Sequence, residues 1–127
     1  MDDIIRHFTD LNAWQKNHQL ILEVYKLTKN FPKEEIFGLT NQLRRAASSI
    51  TANIAEGYGR YHYNDKNRFY FIARGSSLEV QNHLLLARDL GYIKEQEFSL
   101  IKVLSFEGYK LICGLIKSLE NIKRNSC

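Results

Sequence analysis

Apolar residues recur every three or four positions along nearly the whole chain, the spacing of one helical face. No stretch shows the two-residue alternation of a half-buried strand, and no repeat or low-complexity linker interrupts the pattern. Four helices follow. The first is predicted over residues 11–30, with Trp14, His18, Ile21, Tyr25 and Thr28 on one side and Leu20 and Leu22 beside them. Phe31-Pro32 stops it, because proline disfavours helix at the residue before it. The second is expected over 35–56, with Glu34 and Glu35 at its start and Gly57 as its C-cap. Residues 58–64 read as a loop. The third, over 65–90, is capped by Asn64 or Asp65 and stopped by Gly91. The fourth covers 94–122. Long helices joined by short connections predict an all-α chain, one domain over 1–127, folded as an antiparallel up-down-up-down four-helix bundle.

Two of these helices carry more apolar surface than a lone bundle needs. On the third, Phe69, Ala73, Val80, Leu84 and Ala87 form one face and Phe71, Leu78 and Leu85 lie nearly opposite, leaving a narrow polar strip of Arg74, Ser77, Gln81 and Arg88. On the fourth, Ile101, Leu104, Gly108, Leu111, Leu115 and Ile122 make the core seam, and Val103, Phe106, Cys113 and Ile116 make a second stripe. A bundle helix needs one apolar face, and large exposed apolar patches are rare on monomers. The second faces therefore predict a homo-oligomer.

The second helix reads LTNQLRRAASSITANIAEGYGR through its end and the following turn. Leu39, Leu43, Ala46, Ala47, Ile50 and Ile54 form its core face, while Ser48, Ala52 and Ala55 are small enough for close helix approach. Arg45 falls beside the core face. On the third helix Glu79 falls among Ile72, Gly75 and Leu86, where an isolated carboxylate would be costly. The expectation is an Arg45–Glu79 ion pair joined by Asn53, which fixes helix register.

Charge adds a location. The 127 residues carry a formal +4, and the segment from Leu39 to Arg74 accounts for it: Arg44, Arg45, Arg60, Lys66, Arg68 and Arg74 against Glu56 and Asp65. Clustered cations suit a polyanion, and they equally suit a solvated face with internal salt bridges. Arg44, Arg60, Lys66, Arg68 and Arg74 are the candidate phosphate ligands. Tyr61, with Tyr58 and Tyr63, interleaves them with rings able to stack on nucleobases. Alternatively, those tyrosines pack over the bundle end.

Other chemistry finds no support. His7, His18, His62 and His83 lack metal-ligand spacing, and Glu79 is followed by histidine at the fourth position, not the third as a di-iron bundle requires. No phosphate-cradling loop precedes a helix, and Gly75-Ser76-Ser77 lies mid-helix. The expectation is no enzyme, no catalytic residue, no metal and no cofactor. The Met-Asp-Asp start predicts no signal peptide, and no apolar run is long enough for a membrane. Cys113 and Cys127, unpaired by spacing, suit a cytoplasmic location.

The segments QLRRAASSITANIAEGYGR and FYFIARGSSLEVQNHLLLARDLGYI resemble the bacterial family of 23S rRNA intervening-sequence proteins, often labelled S23 ribosomal proteins. Arg44, Arg45, Ser49, Ile50, Asn53, Ile54, Ala55, Glu56, Gly57, Gly59 and Arg60 match its pattern, as do Ala73, Gly75, Ser76 and Glu79. The resemblance covers the chain from about Trp14 to the end of the fourth helix. It implies an up-down bundle assembled as a ring, typically a pentamer. Genes of that family lie within insertions in large-subunit rRNA genes, and a similar bundle serves a retroelement reverse transcriptase. No agreed catalytic residues come with it.

These readings lead to a non-enzymatic, oligomeric protein that binds nucleic acid, structured RNA above all, through residues 44–74. The other reading is a protein–protein scaffold or adaptor without nucleic-acid affinity. An enzyme would require a deep polar pocket around Glu79 and His83.

Overall fold

The computed structural model describes residues 4–126; the Met1–Asp3 start and Cys127 lie outside them. Four helices form: α1 (Asn12–Thr28), α2 (Leu39–Tyr58), α3 (Tyr63–Asp89) and α4 (Glu95–Ser126). There is no strand among the described residues. Short 3₁₀ turns at Phe8–Asp10 and Lys33–Glu35 precede α1 and α2.

The boundaries follow from local chemistry. Gly91, at φ 80°, takes the left-handed conformation beyond α3. The Tyr92 N–H then donates to Ala87 O at 2.9 Å and the Gly91 N–H to Arg88 O at 2.9 Å, the paired bonds of a Schellman ending. The second helix starts four residues later than expected. Lys33–Glu35 closes its own tight turn, and Gly38, at φ −111° and ψ −118°, breaks the helical path. Glu35 still serves that helix from outside it: its Oε1 accepts the Leu39 N–H at 3.1 Å, and its Oε2 accepts the Tyr92 hydroxyl at 2.8 Å. Tyr92 also meets Phe31 ring to ring at 5.4 Å, so one carboxylate ties the start of α2 to the loop after α3.

These bonds favour the Glu35 carboxylate, so its pKa lies below the ordinary 4.5, with the Leu39 N–H the larger cause and the Tyr92 hydroxyl the second. The sign is therefore fixed. The clasp contributes fully above the unfolded value and is lost as pH falls through the depressed folded value. Glu35→Gln is expected to melt below the native chain at pH 7, with the gap closing as the pH falls below the ordinary 4.5 and through the depressed folded value. Thermal unfolding by circular dichroism at pH 7, 5 and 3 reads it, and a gap independent of pH would refute it.

Contacts along the helices fix their directions. Asn67 of α3 donates to Ile116 O at 3.5 Å, whereas Phe98 lies beside Gln81 and Leu84, so α3 and α4 run antiparallel. The start of α1 faces Leu111–Ser118, and its end faces Glu97–Leu104. Ser49 of α2 meets Ser76 of α3 at 3.0 Å, and Gly57 meets Tyr70. Each helix packs on its sequence neighbours, and α1 closes on α4. Together these relations fit an up-down-up-down bundle.

Leu20 and Val24 of α1, Leu43, Ile50 and Ile54 of α2, Val80 and Leu84 of α3, and Ile112 of α4 are fully buried. All six residues expected for the α2 core face are buried. On α1 the core stripe is Ala13, Asn17, Leu20, Val24 and Thr28, so Trp14, His18, Ile21 and Tyr25 form a half-covered flank. On α4, Ile112 and Ile116 belong to the core, and Ile122 is partly exposed. Val103 and Phe106 keep the outward position expected of them.

On α3 the expected polar strip is a correction. Ser77 is fully buried, Gln81 is half-buried, and large apolar side chains stand on the outward face among polar ones. Phe71, Gly75, Leu78, Asn82 and Leu85 follow one another at alternating steps of four and three, the repeat of a coiled-coil seam, and they point away from the bundle. Phe71 is 44% exposed, Leu78 49% and Leu85 43%. The helix has apolar residues on both sides, so periodicity alone cannot tell which side is inward.

Candidate nucleic-acid interface

The turn between α2 and α3 holds the densest group of predicted site residues. Gly57 lies inside α2, not at its cap, and it is buried. A Cβ there would stand 2.7 Å from the Tyr70 ring and 3.0 Å from Lys66 O, so the missing side chain lets α3 close onto α2. Burial pushes the Tyr70 phenol up to about 12, with Tyr58 adding to the shift. The Lys66 ammonium donates to Tyr58 O at 2.7 Å and Gly57 O at 3.4 Å. It thereby serves the last carbonyls of α2, which a helix leaves without internal partners. Burial lowers its pKa. Lys66 thus holds the turn together.

Two arginines share one ring at this turn. The Arg60 guanidinium lies 4.7 Å from the Phe69 ring centre, and that of Arg68 lies 4.6 Å from it. Their carbons are no farther apart than the sum of those distances. The ring quadrupole attracts both cations, and Glu56 pairs with Arg60 at 3.2 Å. Tyr61, the residue after Arg60, is 89% exposed. His62 meets it edge to face at 5.1 Å, and Tyr61, His62 and Tyr63 line an open concavity of about 380 Å³.

The other two candidates lie elsewhere. Arg44 donates to Thr28 Oγ1 at 2.8 Å and lies 4.7 Å from the Tyr25 ring centre, at the opposite end of the bundle. Sixteen residues of helical rise separate it from Arg60, roughly 24 Å. Arg74 covers Phe71 at 4.9 Å and points toward α4, where Tyr109 feels its charge. The sequence cluster therefore divides among three places. Arg60, Tyr61, Lys66 and Arg68 converge, and Arg44 and Arg74 do not join them.

The expected Arg45–Glu79 pair is also corrected. Both side chains are exposed, and no ion pair joins them among the described residues. Glu79, at 64% exposure, lies 3.9 Å from His83 Nε2. Asn53 donates to Ser49 O at 2.8 Å and to Ser49 Oγ at 3.0 Å. Hydroxyls do the work assigned to charges: Ser76 donates to Ser49 Oγ across the helix pair at 3.0 Å. The misplacement has the same source as the polar strip, because Glu79 belongs to the outward side of α3. Among the described residues no group of three or more histidines, cysteines or acids could hold a metal ion. None of the described helices is long and apolar enough to cross a membrane.

A sequence model of the 23S rRNA-intervening sequence protein family matches residues 9–114. The chain belongs to this family. A solved structure from the S23 ribosomal protein family, from Bacteroides thetaiotaomicron VPI-5482, is similar at a TM-score of 0.77 and 25% identity. The match covers 83% of this chain and 98% of that one, described as a protein with unknown function. No curated protein matches the chain. Ser49 and Ser76 form the hydrogen-bonded α2–α3 contact, and Asn53 supports Ser49 from within α2. Glu56 and Arg60 form the ion pair of the tip.

Proposed function

We propose that this chain works without catalysis, as an oligomeric bundle that binds structured RNA through the α2–α3 tip. The observation that carries the reading is the shared Phe69 ring with Arg60 and Arg68 on it, next to the exposed Tyr61. Paired guanidiniums suit phosphates, and an exposed ring suits a base. The family description, which refers to 23S rRNA, agrees with such a partner. For assembly, the outward seam of α3 supports a second copy, and the ring of five that the family resemblance implies would repeat the tip in every subunit.

A second reading has its own support. The same seam suits a different protein, and the dispersal of Arg44 and Arg74 weakens a broad electrostatic face. In that reading the chain is an adaptor without RNA affinity.

A salt titration separates them. Fluorescence anisotropy with a labelled RNA hairpin at 50 to 200 mM salt is expected to give micromolar binding that weakens as salt rises. Arg60→Ala with Arg68→Ala removes two phosphate contacts, so the slope of log affinity against log salt should flatten by roughly 1.5. Absence of binding at 50 mM would favour the adaptor.

A further inference from the structure

Charge at the tip is too well balanced to hold RNA alone. Arg60, Lys66 and Arg68 stand against Glu56 and Asp65. Arg60 is already paired with Glu56, and Lys66 is committed to the carbonyls of Tyr58 and Gly57. Arg68 is left as the least engaged cation, on the ring it shares with Arg60. Most of the affinity must come from another source, and the exposed aromatic surface offers it.

We infer that the tip takes an unpaired nucleobase, stacked on Tyr61, and so selects loops and single strands over duplex. The inference rests on the nucleic-acid reading and narrows it to a class of RNA. Three observations carry it. Tyr61 is 89% exposed, while the guanidinium of its chain neighbour Arg60 lies on Phe69 with that of Arg68. His62 meets Tyr61 edge to face, at an interplanar angle of 89°, which props the ring without enclosing it. The concavity formed with Tyr63 is open and has the volume of a small-ligand cleft. A base inside a duplex has both faces covered by its neighbours, so only an unpaired base can present a face to Tyr61. Stacking also needs no particular base, because every base has an aromatic face. Arg60 and Arg68 then meet the phosphates flanking the stacked nucleotide.

The test uses the full chain and two probes of equal phosphate count: a hairpin RNA with an unpaired loop, and a blunt duplex that extends the same stem sequence until its phosphates match. Anisotropy should show the hairpin bound at least about 10-fold more tightly. Tyr61→Ala should weaken hairpin binding by roughly 5- to 150-fold, the measured range of base–aromatic stacking, and leave duplex binding unchanged. Tyr61→Trp should restore it. Tyr61 is exposed, so both variants should keep the native melting temperature. Equal binding of the two probes, or indifference to Tyr61→Ala, would overturn the base site while leaving RNA binding standing. Failure of both probes to bind at 50 mM salt would overturn the RNA reading and this inference together.

Discussion

Gly108→Ala lowers the melting temperature by several degrees, although the same change in an exposed helix normally stabilises. Asn17 is the cause. It is fully buried on α1, and its amide donates to Ala13 O at 2.8 Å and across the helix pair to Gly108 O at 3.2 Å. A Cβ on Gly108 would collide with the Asn17 carbonyl oxygen and stand 2.9 Å from its Cγ. The amide is a side-chain end, yet it cannot swing away without giving up both bonds inside the core. Helix propensity favours alanine by about 0.5–1 kcal/mol. Losing the bonds or forcing the helices apart costs about 2–4 kcal/mol, so the loss wins. A net change of about 2 kcal/mol corresponds to roughly 8 °C for a chain of this size. Asn17→Ala frees the same space. The double variant should therefore lose much less than the two single losses added together, with a coupling of at least about 1 kcal/mol. Additive losses would mean that the two residues do not share one contact.

Leu78→Glu with Leu85→Glu is expected to separate the copies of the proposed assembly and to leave each one folded. Both leucines lie on the α3 seam with their outer faces in solvent, so the isolated bundle tolerates carboxylates there. In a helix-to-helix contact the same carboxylates would be buried without partners, at several kcal/mol per copy. Light scattering should give the native chain a multiple of 14.9 kDa and the double variant a single copy, with equal helix content. Leu84→Glu, one position away, is the contrast: Leu84 is 1% exposed, and a charge there should unfold the bundle. A native chain of 14.9 kDa would refute assembly itself. A double variant that keeps the native mass would move the contact to another face.

Much of the architecture was legible because α2 has one apolar face. Its six core residues could be named from spacing alone, and Gly91 announced the end of α3 by the usual helix-stop rule. The errors lie on α1, whose inward stripe falls one residue before the expected one for most of its length, and on α3 and α4, where apolar residues surround much of the helix and spacing has no unique inward direction. Ser77 looked like surface and is core, and Glu79 looked buried and is exposed. The candidate site was half legible. Arg60, Tyr61, Lys66 and Arg68 are close in sequence and also meet in space. Arg44 belonged to them only by sequence, because about four helical turns of α2 carry it away. Phe69 went unnoticed as the platform for two arginines. Its role depends on how α2 and α3 meet, and no periodicity reports that. Asn17 is the same kind of residue: only the position of Gly108 across the α1–α4 contact explains why an amide belongs in the core.

The antiparallel closure of α1 on α4 has a consequence for anything joined to the protein. The start of α1 and the end of α4 come out at the same pole, and the α2–α3 turn lies at that pole too. A domain, tag or enzyme joined before α1 or after α4 therefore starts from the pole that carries Tyr61. Cargo that needs the tip would gain a high local concentration there, and a bulky tag would crowd it. The loop at Gly91 sits at the far pole, one bundle length away, and is the place to attach a reporter that must leave the tip open.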